Sequence, residues 1–294
     1  MELGRYGLWT SALDRRPSSA VRDATAEIEA LGFGALWVGE ASRREAFANA
    51  SLLLSASTRL VVATGIANIW ARDPMAMAAG QRTLAEAWHG RFLLGLGVSH
   101  DRLVEPRGHR YQRPVQAMSA YLDAMDRSPY LAPAPEPSAM VRVLAALGPR
   151  MLALAGARAD GAHPYLVPPE HTRRAREVLG PGKLLCPEVA VVLETEPDQA
   201  RGVARQHLGA YLQLDNYRRN LLRLGYGEHD LAGGGSDRLV DALVGWGPVE
   251  RVAGHVRSHL DAGADHVAIQ VLTAEPDRMP LDEWRLLADA LEVR

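Results

Sequence analysis

The stretch RFLLGLGVSH, residues 91–100, decides the fold. An apolar run, Phe92–Leu94, passes into Gly95-Leu96-Gly97 and stops at a histidine. A strand followed by Gly-x-Gly opens a dinucleotide-binding turn when a third glycine lets the next helix pack against the strand. His100 stands in that place. The stretch therefore reads as a strand ending at the mouth of another parallel α/β architecture. Gly95 and Gly97 would keep it thin at that mouth.

The same pattern recurs along the chain. Short apolar runs at 5–9, 34–38, 60–64, 92–96, 141–145, 161–166, 185–193 and 266–272 alternate with longer amphipathic stretches. Val21, Ala24, Ile28 and Leu31 mark one helical stripe, and Val252, Val256 and Leu260 another, ended by Gly263. Asp73-Pro74 reads as an N-cap followed by proline in the first turn. The joints EALGFGALWV, GARADGAHPYL and LDAGADHVAIQV each lead from a helix end through small residues into a strand. Eight such βα units predict an α/β fold of the (β/α)8 TIM-barrel class over an open sheet. The whole chain, 1–294, reads as one domain with helical or loop insertions at about 101–140 and 207–247. In a barrel they would lie over the C-terminal face of the strands.

Composition narrows the function classes. The 294 residues are 47% hydrophobic and 23% charged, with a net charge of −2, which offers no bulk attraction to nucleic acid or membrane. Lys183 is the only lysine, so the remaining basic residues are arginines, suited to forked contacts with phosphate or carboxylate. Cys186 is the only cysteine and reads as a packed thiol, which excludes an internal disulfide or a CxxC metal site. No apolar run reaches about 18 residues and no basic-then-apolar leader opens the chain, so a cytoplasmic protein is expected.

In a barrel the chemistry sits at the C-terminal strand ends. Those ends offer Glu40 in WVGEAS, Asn68 and Trp70 after VVATGI, Ser99 and His100, His163 and Tyr165, and Gln270. A polar residue at such a place can simply cap the next helix. Glu40, following a wholly apolar strand, is expected either to pair with arginine or to be tuned for proton transfer. Glu40, His100 and His163 lack a metal-ligand spacing, so no metal is expected. AALGPRM reads as an anion-binding loop: Leu147 ends the strand and Gly148 permits close backbone approach. Pro149 opens the helix, and Arg150 sits where a cation is unfavourable unless an anion is bound. Gly65 in VVATGIANIW reads as a bulge against which a flat ring can lie.

The stretches EIEALGFGALWVGE, RLVVATGIANIWARDPMAMA, GRFLLGLGVSH, AALGPRMLALAGARADGAHPYLVPPEHT and HLDAGADHVAIQVL follow in order across nearly the whole chain. Together they resemble the luciferase-like (bacterial luciferase-type) flavin and deazaflavin oxidoreductases, in particular the branch that uses coenzyme F420. The resemblance implies a non-prolyl cis peptide at Gly65-Ile66 or its neighbour, with Ala67, backing the central ring. It also implies that Gly97, Ser99 and His163 lie beside that ring, and that Leu147, Gly148, Pro149 and Arg150 hold the cofactor phosphates. Two departures stand out. Sugar-phosphate dehydrogenases of that branch carry an acid–His pair where this chain has Glu40-Ala41, and a glutamate where it has Val98. Glu40 and His100 then become the candidate catalytic proton donors. The implied activity is hydride transfer between the deazaflavin C5 and a small-molecule or modified-peptide substrate, reducing a C=C, C=N or C=O bond. The alternatives are an FMN-dependent monooxygenase and a non-catalytic cofactor-binding barrel. A homodimer is expected.

Overall fold

The computed structural model describes residues 1–276 and 278–293. Its strands are β1 (Tyr6–Trp9), β2 (Ala35–Val38), β3 (Val61–Thr64), β4 (Ala67–Asn68), β5 (Phe92–Gly97), β6 (Val141–Leu144), β7 (Gly161–Ala162), β8 (Leu184–Leu185), β9 (Glu188–Val192), β10 (Val244–Trp246) and β11 (Val267–Val271). Its helices are α1 (Ser18–Ala30), α2 (Ala46–Leu54), α3 (Pro74–Ala87), α4 (Asp101–Val104), α5 (Pro114–Arg127), α6 (Pro149–Arg158), α7 (Pro169–Leu179), α8 (Pro197–Tyr211), α9 (Asp215–Arg223), α10 (Glu228–Leu231), α11 (Asp237–Leu243), α12 (Val249–Asp261) and α13 (Leu281–Ala290).

The strands pair in parallel in the order β9-β11-β1-β2-β3-β5-β6-β7-β8. The ring closes inside one chain segment. Leu184-Leu185 pair with β7, and Glu188–Val191 pair with β11. Only Cys186-Pro187 separates the two halves, because proline removes a ladder donor there. The result is the closed TIM barrel that the alternation of β and α implied.

Local chemistry accounts for the helices. α1 buries Val21, Ala24 and Ile28 on one stripe. The Asp73 carboxylate accepts the Ala76 N–H at 3.0 Å, and Pro74 opens α3. The Ser236 hydroxyl caps α11 by accepting the Leu239 N–H at 3.2 Å.

The structure divides both stretches read as insertions. Within 101–140, α5 packs between α3 and α6 and buries Met118, Tyr121, Leu122 and Met125. It is a helix of the outer ring, so only the short segment around α4 stands at the mouth. Within 207–247, the last residues form β10, which adds to β9 with Gly245 opposite Val191. That strand is absent from the sequence reading because Val244 follows α11 with no turn residue between them. α8, α9 and α11 pack on β9 and β10 through Ala190, Val192, Leu208, Leu212, Tyr217 and Leu239.

Inside the barrel, Trp9, Trp37, Ala63, Leu93, Val143, Cys186 and Ala268 pack together. The Trp37 ring stacks on His163 with centroids 4.3 Å apart, and its Nε1–H donates to His266 Nε2 at 3.0 Å. His266 Nδ1 in turn lies 2.9 Å from the Gly4 carbonyl, which assigns the proton to Nδ1.

The two glycines of RFLLGLGVSH leave room for the protein's own atoms. A Cβ at Gly95 would lie 1.9 Å from the Thr64 carbonyl oxygen, and one at Gly97 would lie 2.5 Å from Ile66 side-chain carbons. The Thr64 hydroxyl fastens the same place: it donates to the Gly95 carbonyl at 2.8 Å and accepts the Gly95 N–H at 2.9 Å. Gly95→Ala is therefore expected to destabilise the fold by about 3 kcal/mol, since backbone cannot yield as a side chain can. Urea unfolding should show a lower midpoint with an unchanged slope.

Candidate active site

The mouth is built on the bulge between β3 and β4. The Gly65-Ile66 peptide is cis. The Gly65 N–H donates to the Val38 carbonyl at 2.8 Å, and its own carbonyl accepts Trp9 Nε1–H at 3.0 Å. On the far side Ile69 donates to the Gly97 carbonyl at 3.1 Å. Ile66 lies against Gly97, and Ala67 pairs with Leu96. Backbone hydrogen bonds to β2 and β5 and the Trp9 side chain from β1 thus hold this wall to three neighbouring strands.

Glu40 sits beneath it. The Glu40 side chain is only 4% exposed. Its Oε2 accepts the Asn68 N–H at 2.8 Å and Arg72 Nη1–H at 3.0 Å. Its Oε1 takes Arg72 Nη2–H and, at 3.3 Å, the Ala46 N–H. Arg72 also bonds Glu45 and lies over the Phe47 ring, 4.8 Å from its centroid. Both carboxylate oxygens are engaged, and no hydrogen bond joins Glu40 to His100 among the described residues.

His100 stands on the other side of the mouth, before α4, with its ring centroid 5.6 Å from Tyr217. Burial, helped by Arg102, pushes its pKa down to about 4, so the ring is neutral near pH 7. Ser99 precedes it with φ +58°, a left-handed conformation uncommon for serine. His163 is 1% exposed and lies inside the barrel. Its Nδ1 is 2.6 Å from the Cys186 carbonyl, while its Nε2 has no partner and faces Gly65, whose added Cβ would come within 2.9 Å.

The loop after β6 has the features of an anion site. Gly148 precedes α6 and Pro149 opens it. His171 Nε2 lies 2.8 Å from the Leu147 carbonyl and braces the turn. Arg150 is exposed and has no carboxylate within ion-pair distance among the described residues. A second cation arrives from α9: Arg223 Nη2 lies 3.4 Å from the position a Gly148 Cβ would take. Burial and nearby Arg219 lower the Arg223 pKa, the reverse of what a bonded carboxylate would do.

Two features of the mouth were missed by sequence reasoning. The first is a roof of aromatic side chains from α8 and α9. Tyr165 OH donates to Gln270 Oε1 at 2.8 Å and lies 3.1 Å from Tyr211 OH and 3.3 Å from His207 Nε2. Tyr211 and Tyr217 meet edge to face with centroids 5.3 Å apart, and Trp9 meets Tyr165 in the same way at 5.5 Å. The second is Glu188, fully buried at the start of β9. Its signal was an acidic residue interrupting the apolar run LLCPEVAVV.

Comparison with known proteins agrees with this architecture. The profile of the luciferase-like monooxygenase family matches residues 5–266, and the chain belongs to that family. An uncharacterised protein of Mycobacterium tuberculosis is 28% identical, with 83% of this chain and 88% of that one covered. Another M. tuberculosis protein, named for coenzyme F420-dependent oxidoreduction, is 30% identical over 125 residues, covering 42% of this chain and 36% of its own. Among solved structures, an F420-dependent secondary alcohol dehydrogenase holding an F420–acetone adduct superposes with a TM-score of 0.78 at 15% identity, over 99% of both chains. The FMN-bound oxygenating component of 3,6-diketocamphane monooxygenase from Pseudomonas putida gives 0.71 at 14%, over 98% of this chain and 97% of that one. Among the described residues no helix is long and apolar enough to cross a membrane.

Two outcomes are expected of this site. Arg72→Met leaves the buried Glu40 charge without its cation and should cost about 3 kcal/mol in chemical denaturation. His163, His207, His255 and His266 are each pushed down to about 4 by burial. Folding therefore favours their neutral forms. That contribution is complete above their unfolded value of about 6.5 and is lost as pH falls through the folded value. Calorimetry should show Tm dropping across pH 6.5 to 4, and a flat Tm over that window would contradict the neutral histidines.

Proposed function

We propose that this protein is an oxidoreductase that uses coenzyme F420 and reduces an organic small molecule. The observation that carries the reading is the pairing of a flat backbone wall at Gly65, Ile66 and Ala67 with a cationic helix start on one barrel mouth. A deazaflavin is a planar ring joined to an anionic tail, and the mouth is suited to both parts. Family membership and the F420-dependent structural neighbours support the same reading.

The residues fit the group. Leu147, Gly148, Pro149 and Arg150 would take the phosphate on free N–H groups and a guanidinium fork, with Arg223 closing from α9. Gly65, Ile66 and Ala67 would back the ring, with Gly97, Ser99 and His163 along it. His163 Nε2, buried and unpartnered, is an acceptor available at that wall. When bound, F420 supplies a hydride from C5 of its reduced ring. The protein's part is to orient substrate over that face and to exclude water, which the tyrosine roof does.

Glu40 is assigned a positioning role. Its carboxylate holds the bulge through Asn68 and cannot approach a substrate without releasing Arg72. His100, neutral at pH 7, orients substrate by hydrogen bonding, since a proton donor works best with a pKa near the operating pH.

Fluorescence titration with F420 and FMN tests the cofactor. F420 should bind tightly, and Arg150→Ala and Arg223→Ala should each weaken it by about tenfold, the loss of one charge-assisted contact. Tight FMN binding without F420 binding would transfer the site to the flavin monooxygenases, whose FMN-bound neighbour shares the fold.

A further inference from the structure

Glu188 opens β9 opposite Ala268 and faces the barrel interior, two residues before Ala190, which packs under the roof. It is 0% exposed. Its Oε2 accepts the Leu166 N–H at 3.0 Å, and its Oε1 has no partner among the described residues. No arginine, lysine or histidine comes within ion-pair distance of it among the described residues. Glu40, a few strands away, has a guanidinium and two backbone N–H groups. An isolated carboxylate in such a place is strongly disfavoured, and burial pushes the Glu188 pKa up to about 8. The carboxyl is therefore an O–H donor near pH 7.

Its surroundings are phenolic. Tyr165 from the turn after β7, Tyr211 from α8 and Tyr217 from α9 surround it, and burial first, with the nearby Glu188 carboxyl a lesser cause, holds their phenols protonated. Gln270 faces the same space from β11 and accepts the Tyr165 O–H hydrogen bond. None of these groups is cationic. The Tyr217 hydroxyl has no protein partner among the described residues. The rings of Tyr211 and Tyr217 fill the mouth against Tyr165. The walls thus already accept flat rings bearing an oxygen.

We propose that Glu188 is a further catalytic residue, whose buried carboxyl binds the oxygen of a flat conjugated or aromatic carbonyl substrate and protonates it, after Tyr211 and Tyr217 have moved aside. This deepens the reading of the site as a reductase and rests on it. In the step, a hydride from a reduced deazaflavin forms the new C–H bond at the carbonyl carbon. The C=O π pair moves to oxygen, and the Glu188 O–H proton follows it. The carbonyl is reduced to an alcohol, the deazaflavin is oxidised, and Glu188 is left as a carboxylate that solvent reprotonates.

Glu188→Gln is the test, because its amide oxygen can still accept the Leu166 N–H while the acidic proton is gone. The probe is 4-nitrophenol, a flat oxygen-bearing ring, titrated calorimetrically at pH 6 without cofactor. Wild type should bind it, Glu188→Gln at least tenfold more weakly, and Tyr217→Phe, which loses only the hydroxyl of a ring that moves aside, about as tightly as wild type. Infrared difference spectra of the wild type should show a protonated-carboxyl band at pH 6 that fades through about pH 8 and is missing from Glu188→Gln. No binding by wild type, equal binding by Glu188→Gln, or a carboxylate already present at pH 6 overturns the proposal. Should Glu188→Gln not fold, the wild-type infrared titration and the wild-type 4-nitrophenol titration decide it. F420 titration of the same proteins keeps the two readings apart. Phenol binding through Glu188 without F420 binding defeats the cofactor alone, and F420 binding without phenol binding defeats Glu188 alone.

Discussion

The Glu40 carboxylate, shared between the Arg72 guanidinium and the Asn68 N–H, is the contact on which the mouth of the barrel depends. It ties the end of β2 to the chain leaving β3, and Arg72 carries the tie onward to Glu45 before α2. A buried charge without its partner is among the costlier defects a fold can hold. The pair therefore constrains where the 65–68 backbone can run. The wall formed by Gly65, Ile66 and Ala67 is set by that constraint from below and by Gly95 and Gly97 from the side. The glycines admit the Thr64 carbonyl and the Ile66 side chain, so the thin strand serves the wall first and any ligand only through it.

Two buried glutamates in one barrel have opposite surroundings. Glu40 has a cation and backbone donors on both oxygens. Glu188 has one backbone donor and a set of phenols. The contrast separates a carboxylate that fixes geometry from a carboxyl that keeps its proton. Divergent environments of this kind mark the division of labour between acid and support in active sites. The neutral histidines belong to the same pattern. Trp37, His163 and His266 form a dry polar stack beneath the mouth, joined by hydrogen bonds to the Cys186 and Gly4 carbonyls, that keeps charge out of the barrel interior.

The excursion carrying α9 adds three things to the mouth at once. Leu212 and Leu221 seat it on β9 and β10, Tyr211 and Tyr217 roof the barrel, and Arg223 reaches the Gly148 turn. Burying the apolar side of α9 thus brings Arg223 to the turn before α6.

Most of the architecture was legible along the chain, because the signals were local. The apolar runs, the Asp73-Pro74 cap and the helix-to-strand glycines all act within a few residues of themselves. The turn at Leu147–Arg150, with Pro149 opening a helix, was legible for the same reason. What the tertiary structure decided was every relation across the barrel. Arg72 lies 32 residues from Glu40, and Gln270 lies 105 from Tyr165. β10 has no turn to announce it and exists only because β9 offers an open edge. Glu188 reads as an odd residue in an apolar strand until closure buries it without a cation. A parallel barrel joins residues distant in sequence, so local chemistry determined the staves and the caps, while closure of the ring decided which side chains meet and which protons they keep.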